Sequence, residues 1–147
     1  MAIYPIRKIG DPVLRTKAKE VKEITNKTRK LIDSMFETMY DAPGIGLAAP
    51  QIGISKRIIV IDLDDNPIAL INPVIVEKQG SQVGEEGCLS IPGERALVER
   101  YQFVKVRGLD INGREIEIES EDLLARALQH EIDHLDGILF IDKIYKE

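Results

Sequence analysis

Gln129-His130-Glu131-Ile132-Asp133-His134 holds the only two histidines of a 147-residue chain, four residues apart. Read as helix, this spacing puts both imidazoles on one face, one turn apart, with about 5–6 Å between their Cβ atoms. Two neutral imidazoles so placed can share one divalent ion at the ~2.0–2.1 Å bond lengths of zinc. Glu131, beside the first of them, is close enough to exchange a proton with a water on that ion. This is the H-E-x-x-H arrangement of metal-dependent hydrolases. A plain surface pair of histidines is the competing reading, and the choice between them falls to the rest of the chain.

Upstream, Leu123, Ala127, His130 and His134 recur at i, i+4, i+7 and i+11, one narrow stripe of a helix. The histidine face is therefore also the inward face, where packing holds side chains still. Ser120 is read as the N-cap, with Glu121 and Asp122 favouring the positive helix end. Asp136-Gly137 stops the helix, and residues 138–144 form an apolar tail.

Residues 25–41 form an earlier helix, capped by Thr25 or Asn26, whose stripe of Leu31, Ile32, Met35, Phe36 and Met39 reads as core. Asp11-Pro12 opens a shorter one. After Pro43 comes Gly44-Ile45-Gly46-Leu47-Ala48-Ala49-Pro50-Gln51. It follows a helix and precedes a proline, so a nucleotide loop is a poor fit; small residues here let a peptide backbone pass close. Residues 56–120 read as β: strands at 57–62, 68–72, 74–78, 94–100 and 103–110, with Pro73 separating two of them. Asp64-Asp65-Asn66-Pro67 is a turn. Asn112-Gly113 joins 105–111 to 114–119 as a hairpin, and Ile116 and Ile118 alternate with Glu115, Glu117 and Glu119 to leave one wet face.

Composition sets the boundaries. With 44% apolar and 31% charged residues, the chain reads as one globular domain over 1–147. Its aliphatic runs, such as Ile58-Ile59-Val60-Ile61, are strand-sized and far short of a membrane span, and residues 1–6 contain no signal-peptide core. A net charge of -5 argues against broad nucleic-acid binding. One cysteine allows no internal disulfide and suits a reducing, cytoplasmic setting.

A catalytic zinc-type site needs three protein ligands and an open position. Only 13 residues follow His134, with no histidine among them. The third candidate lies upstream, in Gly84-Glu85-Glu86-Gly87-Cys88-Leu89-Ser90. Bound as thiolate with two neutral imidazoles, Cys88 would leave a divalent ion a formal charge of +1. A buried apolar cysteine and a cysteine nucleophile with a histidine base compete with this, and spacing leaves both open.

Three blocks stand in order: residues 44–51, Glu86-Gly87-Cys88-Leu89-Ser90, and residues 129–134. Together they resemble the bacterial peptide deformylases, metal enzymes that remove the formyl group from formylmethionine of new polypeptides. The resemblance runs from about Ile3 to Tyr145. It implies an α+β fold, with antiparallel or mixed sheets around a C-terminal helix carrying the metal motif and the N-terminal helix outside. It also implies Cys88, His130 and His134 as metal ligands, with water in the fourth position. Glu131 would be general base and then acid, and the Gln51 amide and Leu89 backbone N–H would face the developing oxyanion. The backbone of Gly46 would bond the substrate main chain, with Glu86 in the substrate-binding wall. Ile45, Leu123, Ala127 and the ring of His130 would line the methionine pocket. The implied metal is iron(II), replaceable by zinc, nickel or cobalt, and the implied partners are nascent formylmethionyl peptides at the ribosome.

Two features depart from the family pattern. Arg126 stands where relatives often carry an apolar residue, and its stem is expected to cover the pocket rim with the guanidinium in water. The chain stops at Glu147, where many relatives continue into a further helix that serves ribosome docking, so docking by that route is not expected. Arg95 is expected to support Glu86 or a neighbouring acid. A metallopeptidase cutting internal bonds and a non-enzymatic domain built on structural metal are the rival functions.

Overall fold

Ile58, Ile59, Val60 and Ile61 are each at most 1% exposed, which a strand achieves only when both faces of its sheet are covered. In the computed structural model, which describes residues 2–146, these residues form β2 (Ile58–Leu63) of a five-stranded antiparallel sheet. The other strands are β1 (Gly46–Ala48), β3 (Asn66–Gln79), β6 (Phe103–Leu109) and β7 (Glu115–Glu121), in the order β1-β2-β3-β6-β7. Met1 and Glu147, the ends of the terminal segments considered above, lie outside the described residues.

Side chains alternate across the sheet, and each face receives one helix. Ile59 and Ile61 pack with Leu70, Val104 and Val106 against Leu128 and Leu135 of α2 (Asp122–Leu135). Ile58 and Val60 pack against Ile32, Met35 and Met39 of α1 (Asn26–Asp41), whose start is closed by Thr28 Oγ1 accepting from the Thr25 N–H. A second sheet, β4 (Gln82–Cys88) paired with β5 (Ile91–Arg100), reaches α2 through polar side chains. Arg100 bonds Asp133 at 2.5 Å, and Arg126 bonds the Val98 carbonyl at 3.1 Å. The metal-motif helix is thus held between two antiparallel sheets, with the N-terminal helix on the outer face, as the α+β expectation has it.

Three local expectations are corrected. Pro73 does not divide two strands: β3 runs through it, with a register shift between Ile71 and Val74. Asn72 takes a left-handed φ of 54° there, and its side-chain amide pairs with both backbone groups of Val21. A bulge is where a residue without an N–H is tolerated. The Asn112-Gly113 hairpin exists, but Asp110 N–H donates to the Arg114 carbonyl, making a three-residue loop with Gly113 at φ 79°. The two-residue turn with both φ values positive falls at Asp64-Asp65 instead. Ser120 is not the N-cap of α2; it lies in β7 with Oγ donating to the Val104 carbonyl, and Glu121 takes the cap position. Residues 46–48 and 82–88, not singled out as strands from the sequence, are β1 and β4.

Candidate metal centre and active site

α2 places the His130 and His134 rings with centroids 5.0 Å apart and planes at 67°. Cys88 comes from the end of β4, where the chain turns so tightly that Cys88 pairs with Ile91. Its Sγ lies 3.3 Å from His134 Nε2. The sulfur and one nitrogen of each ring all fall within 4.8 Å of one another. A tetrahedral ion with zinc-like bond lengths needs donors roughly 3.5 Å apart, so the cluster fits one ion after small side-chain rotations. A thiol–imidazole nucleophile would need one ring; here two converge.

Glu86 organises the cluster from behind. Its carboxylate is 4% exposed, accepts from His130 Nδ1 at 2.9 Å, and forms a bidentate pair with Arg100 at 2.8 and 2.9 Å. Burial alone would raise its pKa, but the bonds to Arg100 and His130 hold it well below the carboxylate range. An ionised carboxylate only accepts, so Nδ1 carries a proton, and Nε2 is the nitrogen that can offer a lone pair once a metal displaces its proton. Burial opposes a proton on His130, yet the charge of Glu131 and the bonds to Cys88 and Glu86 raise its pKa to about 10. His134 is pushed well below the ordinary histidine value, by burial and by His130.

Glu131 is buried, and burial pushes its carboxyl up to about 7. Its Oε1 has no hydrogen-bond partner among the described residues, nor has His134 Nδ1. A buried orphan acceptor is costly, and a reacting water would satisfy it. On the other side of the cluster the Gln51 amide is fixed end for end. Its Oε1 accepts from Ala48 N–H at 2.9 Å, so Nε2 donates to Ser90 Oγ at 3.1 Å and lies 3.6 Å from Cys88 Sγ.

A cleft of about 490 Å³ opens onto the cluster. It is lined by Ile45, Gly46, Gln51, Glu86, Cys88, Leu89, Leu123, Ala127, His130 and Glu131; of the residues singled out from sequence, only His134 lies behind it, 1% exposed. Ile45 and Leu123 are 44% and 49% exposed, a large apolar surface for a ligand to cover. Asp62 N–H donates to the Ile45 carbonyl across the β1–β2 ladder, so alternation turns the backbone groups of Gly46 away from β2. Glu86 lines the wall, but its carboxylate is fully engaged with Arg100, Arg126 and His130 rather than offered to a ligand.

The expectation for Arg126 is half overturned: the residue does line the cleft, but its guanidinium is not in water. Only 6% exposed, its guanidinium turns from water into the β4–β5 hairpin and meets Glu86 at 2.5 Å. Arg95 does pair with an acid, the exposed Glu85. Sequence reasoning missed Arg100, Asp133 and Ser90. An acid on the buried side of a helix demands a cation, and Asp133 is the one trace of Arg100 that the sequence carries.

The layered α+β fold and this centre define a hydrolase. Residues 3–147 match the family described as Polypeptide deformylase, and the chain belongs to that family, whose members remove the formyl group from the N-terminus of new polypeptides. A peptide deformylase of Halothermothrix orenii is 60% identical over 148 residues, covering 99% of this chain and 96% of that protein. The crystal structure of peptide deformylase from Thermotoga maritima superposes with a TM-score of 0.97 at 46% identity, over 99% of this chain and 100% of that one. A Synechococcus elongatus peptide deformylase in complex with actinonin gives a TM-score of 0.95 at 48% identity, over 98% of this chain and 80% of that one. Among the described residues no helix is long and apolar enough to cross a membrane.

Proposed function

We propose that this chain hydrolyses the formyl amide of formylmethionyl peptides, using one divalent ion held by Cys88, His130 and His134. The observation that carries the reading is the convergence of those three donors beside the orphaned Oε1 of buried Glu131. When bound, the ion supplies a Lewis acid that makes water a nucleophile at neutral pH. Glu131 takes the proton of the attacking water and delivers it to the methionine nitrogen as the C–N bond breaks, releasing formate and a free amine. A carboxyl whose pKa is raised by burial suits both halves of that transfer. Gln51 Nε2 and the Leu89 N–H stabilise the carbonyl oxygen as it gains charge.

The outward backbone of Gly46, on the edge of β1, receives the peptide as an added strand. Ile45, Leu123, Ala127 and the His130 ring take the methionine side chain, and Glu86 serves the wall through its strand and His130 through its carboxylate. Iron(II) is the proposed resident metal; mixed sulfur and nitrogen donors also accept zinc, nickel or cobalt. The substrates are nascent chains met at the ribosome, in the cytoplasm, where the Cys88 thiol stays reduced.

The deciding experiment compares formyl-Met-Ala with acetyl-Met-Ala, using protein purified anaerobically with its metal counted. About one ion per chain and formate from the formyl peptide alone are expected. The 3.3 Å Cys88–His134 contact also suits a thiol nucleophile, which would keep its activity in excess chelator; the proposed enzyme loses it.

A further inference from the structure

Arg126 lies one helical turn before His130, but its guanidinium leaves α2 and enters the hairpin. Nη1 donates to Glu86 Oε2 at 2.5 Å, to the Val98 carbonyl at 3.1 Å and to the Gly84 carbonyl at 3.4 Å. Nη2 reaches Gln82 Oε1 at 3.3 Å and the Gln82 carbonyl at 3.5 Å. One side chain of the metal helix thus grips both strands of the hairpin that carries Cys88, together with the carboxylate that orients His130. Room for it comes from Gly84: a Cβ there would stand 3.0–3.3 Å from the guanidinium atoms. Arg100 already satisfies Glu86 bidentately and ties β5 to Asp133 of α2. The two ties, at residues 126 and 133, flank His130 on either side, so that neither sheet nor helix can slide without breaking one. Planar, multiply bonded guanidinium fixes geometry in a way that a single ammonium does not.

We propose that Arg126 is a positioning residue: by clasping Glu86 and both hairpin strands to α2, it sets the approach of the Cys88 sulfur to the two imidazoles. This rests on the metal-centre reading above. Partners that orient metal ligands from behind typically govern metal affinity or activity by 10–100-fold; because Arg126 also lines the cleft, an effect confined to substrate binding is the competing outcome.

The test uses the full chain loaded with cobalt(II), whose thiolate charge-transfer and visible bands report the ligand set. Arg126→Leu is expected to shift those bands, speed cobalt loss to a chelator about tenfold or more, and lower kcat for formyl-Met-Ala by a similar factor, on the scale of such partners, with KM essentially unchanged. Arg126→Lys, which can reach Glu86 but not both strands, should recover part of each effect. Gly84→Ala, which presses on the guanidinium from the hairpin side, should reproduce the shift in weaker form. Unchanged bands and release in a folded Arg126→Leu protein overturn the proposal, as does a rise in KM with both readouts unmoved. If Arg126→Leu does not fold, unchanged bands and release in both Arg126→Lys and Gly84→Ala overturn it equally. Failure of the unsubstituted protein to develop a thiolate–cobalt band is a separate outcome, which sinks the metal-centre reading itself.

Discussion

Gly46 has no side chain because Glu131 occupies the space: a Cβ there would lie 2.5 Å from Glu131 Oε2. Gly46→Ala must therefore swing the carboxylate aside, and a misplacement of about 1 Å can cost ~10²-fold in rate. The expected result is kcat lower by that order with the metal content intact, checked by formate release and metal analysis on one preparation. Glu131→Gln should likewise keep the ion and lose about 10²–10⁴-fold of turnover; full activity in that variant would remove the proton carrier from the mechanism. Cys88→Ser should instead lose the ion on dialysis. These three residues were legible in the sequence because their types are scarce or their neighbours unusual: two histidines, one cysteine, and a glycine-rich stretch. The partition between Glu85 and Glu86 was not. Strand alternation leaves the Glu85 side chain 57% exposed against Arg95 and buries that of Glu86 at 4% between two arginines and a histidine. Adjacent identical letters say nothing about which one faces in until the strand's partner is known.

At the scale of elements, α2 is the part on which the two sheets agree. Its apolar face meets the five-stranded sheet through Ala125, Leu128 and Leu135, while Arg126, His130 and Asp133 reach the hairpin. Arg57 secures its C-terminal end by donating to the Leu135 carbonyl at 2.9 Å and pairing with Asp136. Leu128, at 0% exposure, does none of the chemistry, and Leu128→Ala should cost about 2–5 kcal/mol of stability. Urea unfolding checks this, and turnover per folded molecule should stay near normal; a loss below 1 kcal/mol would mean that the two layers are not held by this contact. The helix itself was readable from its 3.6-residue stripe. Its start was not, because Ser120 can cap a helix or bond across a sheet with equal ease, and the register of β7 against β6 decides the matter. Pro73 misled for the same reason. A proline forbids a ladder bond only where the ladder has one, and the bulge at Asn72 is visible only once Val21 is seen to pair with it.

Across the whole molecule, the buried charges join the layers that apolar contact alone leaves separate, and this makes cohesion depend on pH. Glu86 links hairpin to helix only while ionised. Its folded pKa is held far below the usual carboxylate value of 4.5 by Arg100 and His130, against the effect of burial. A depressed pKa means that the unfolded chain takes up the proton first, so stability is complete above that usual value and falls as the pH drops below it. One such group contributes a slope of up to about 1.4 kcal/mol per pH unit in that acid range. Asp142, paired with Arg15, and Asp11 are also depressed but more exposed, so solvent screening leaves them a smaller share. Glu86→Gln removes the titration and leaves the buried Arg126 guanidinium without its carboxylate and Arg100 with Asp133 alone, which should cost about 3–5 kcal/mol at pH 7. The same variant should then lose less with acid, giving a shallower slope below pH 4.5. Urea titrations of both proteins between neutral and acid pH, with chelator present so that metal release adds nothing, measure the two slopes. Parallel slopes would mean that other carboxylates carry the acid sensitivity, and that the link through Glu86 is geometric rather than electrostatic.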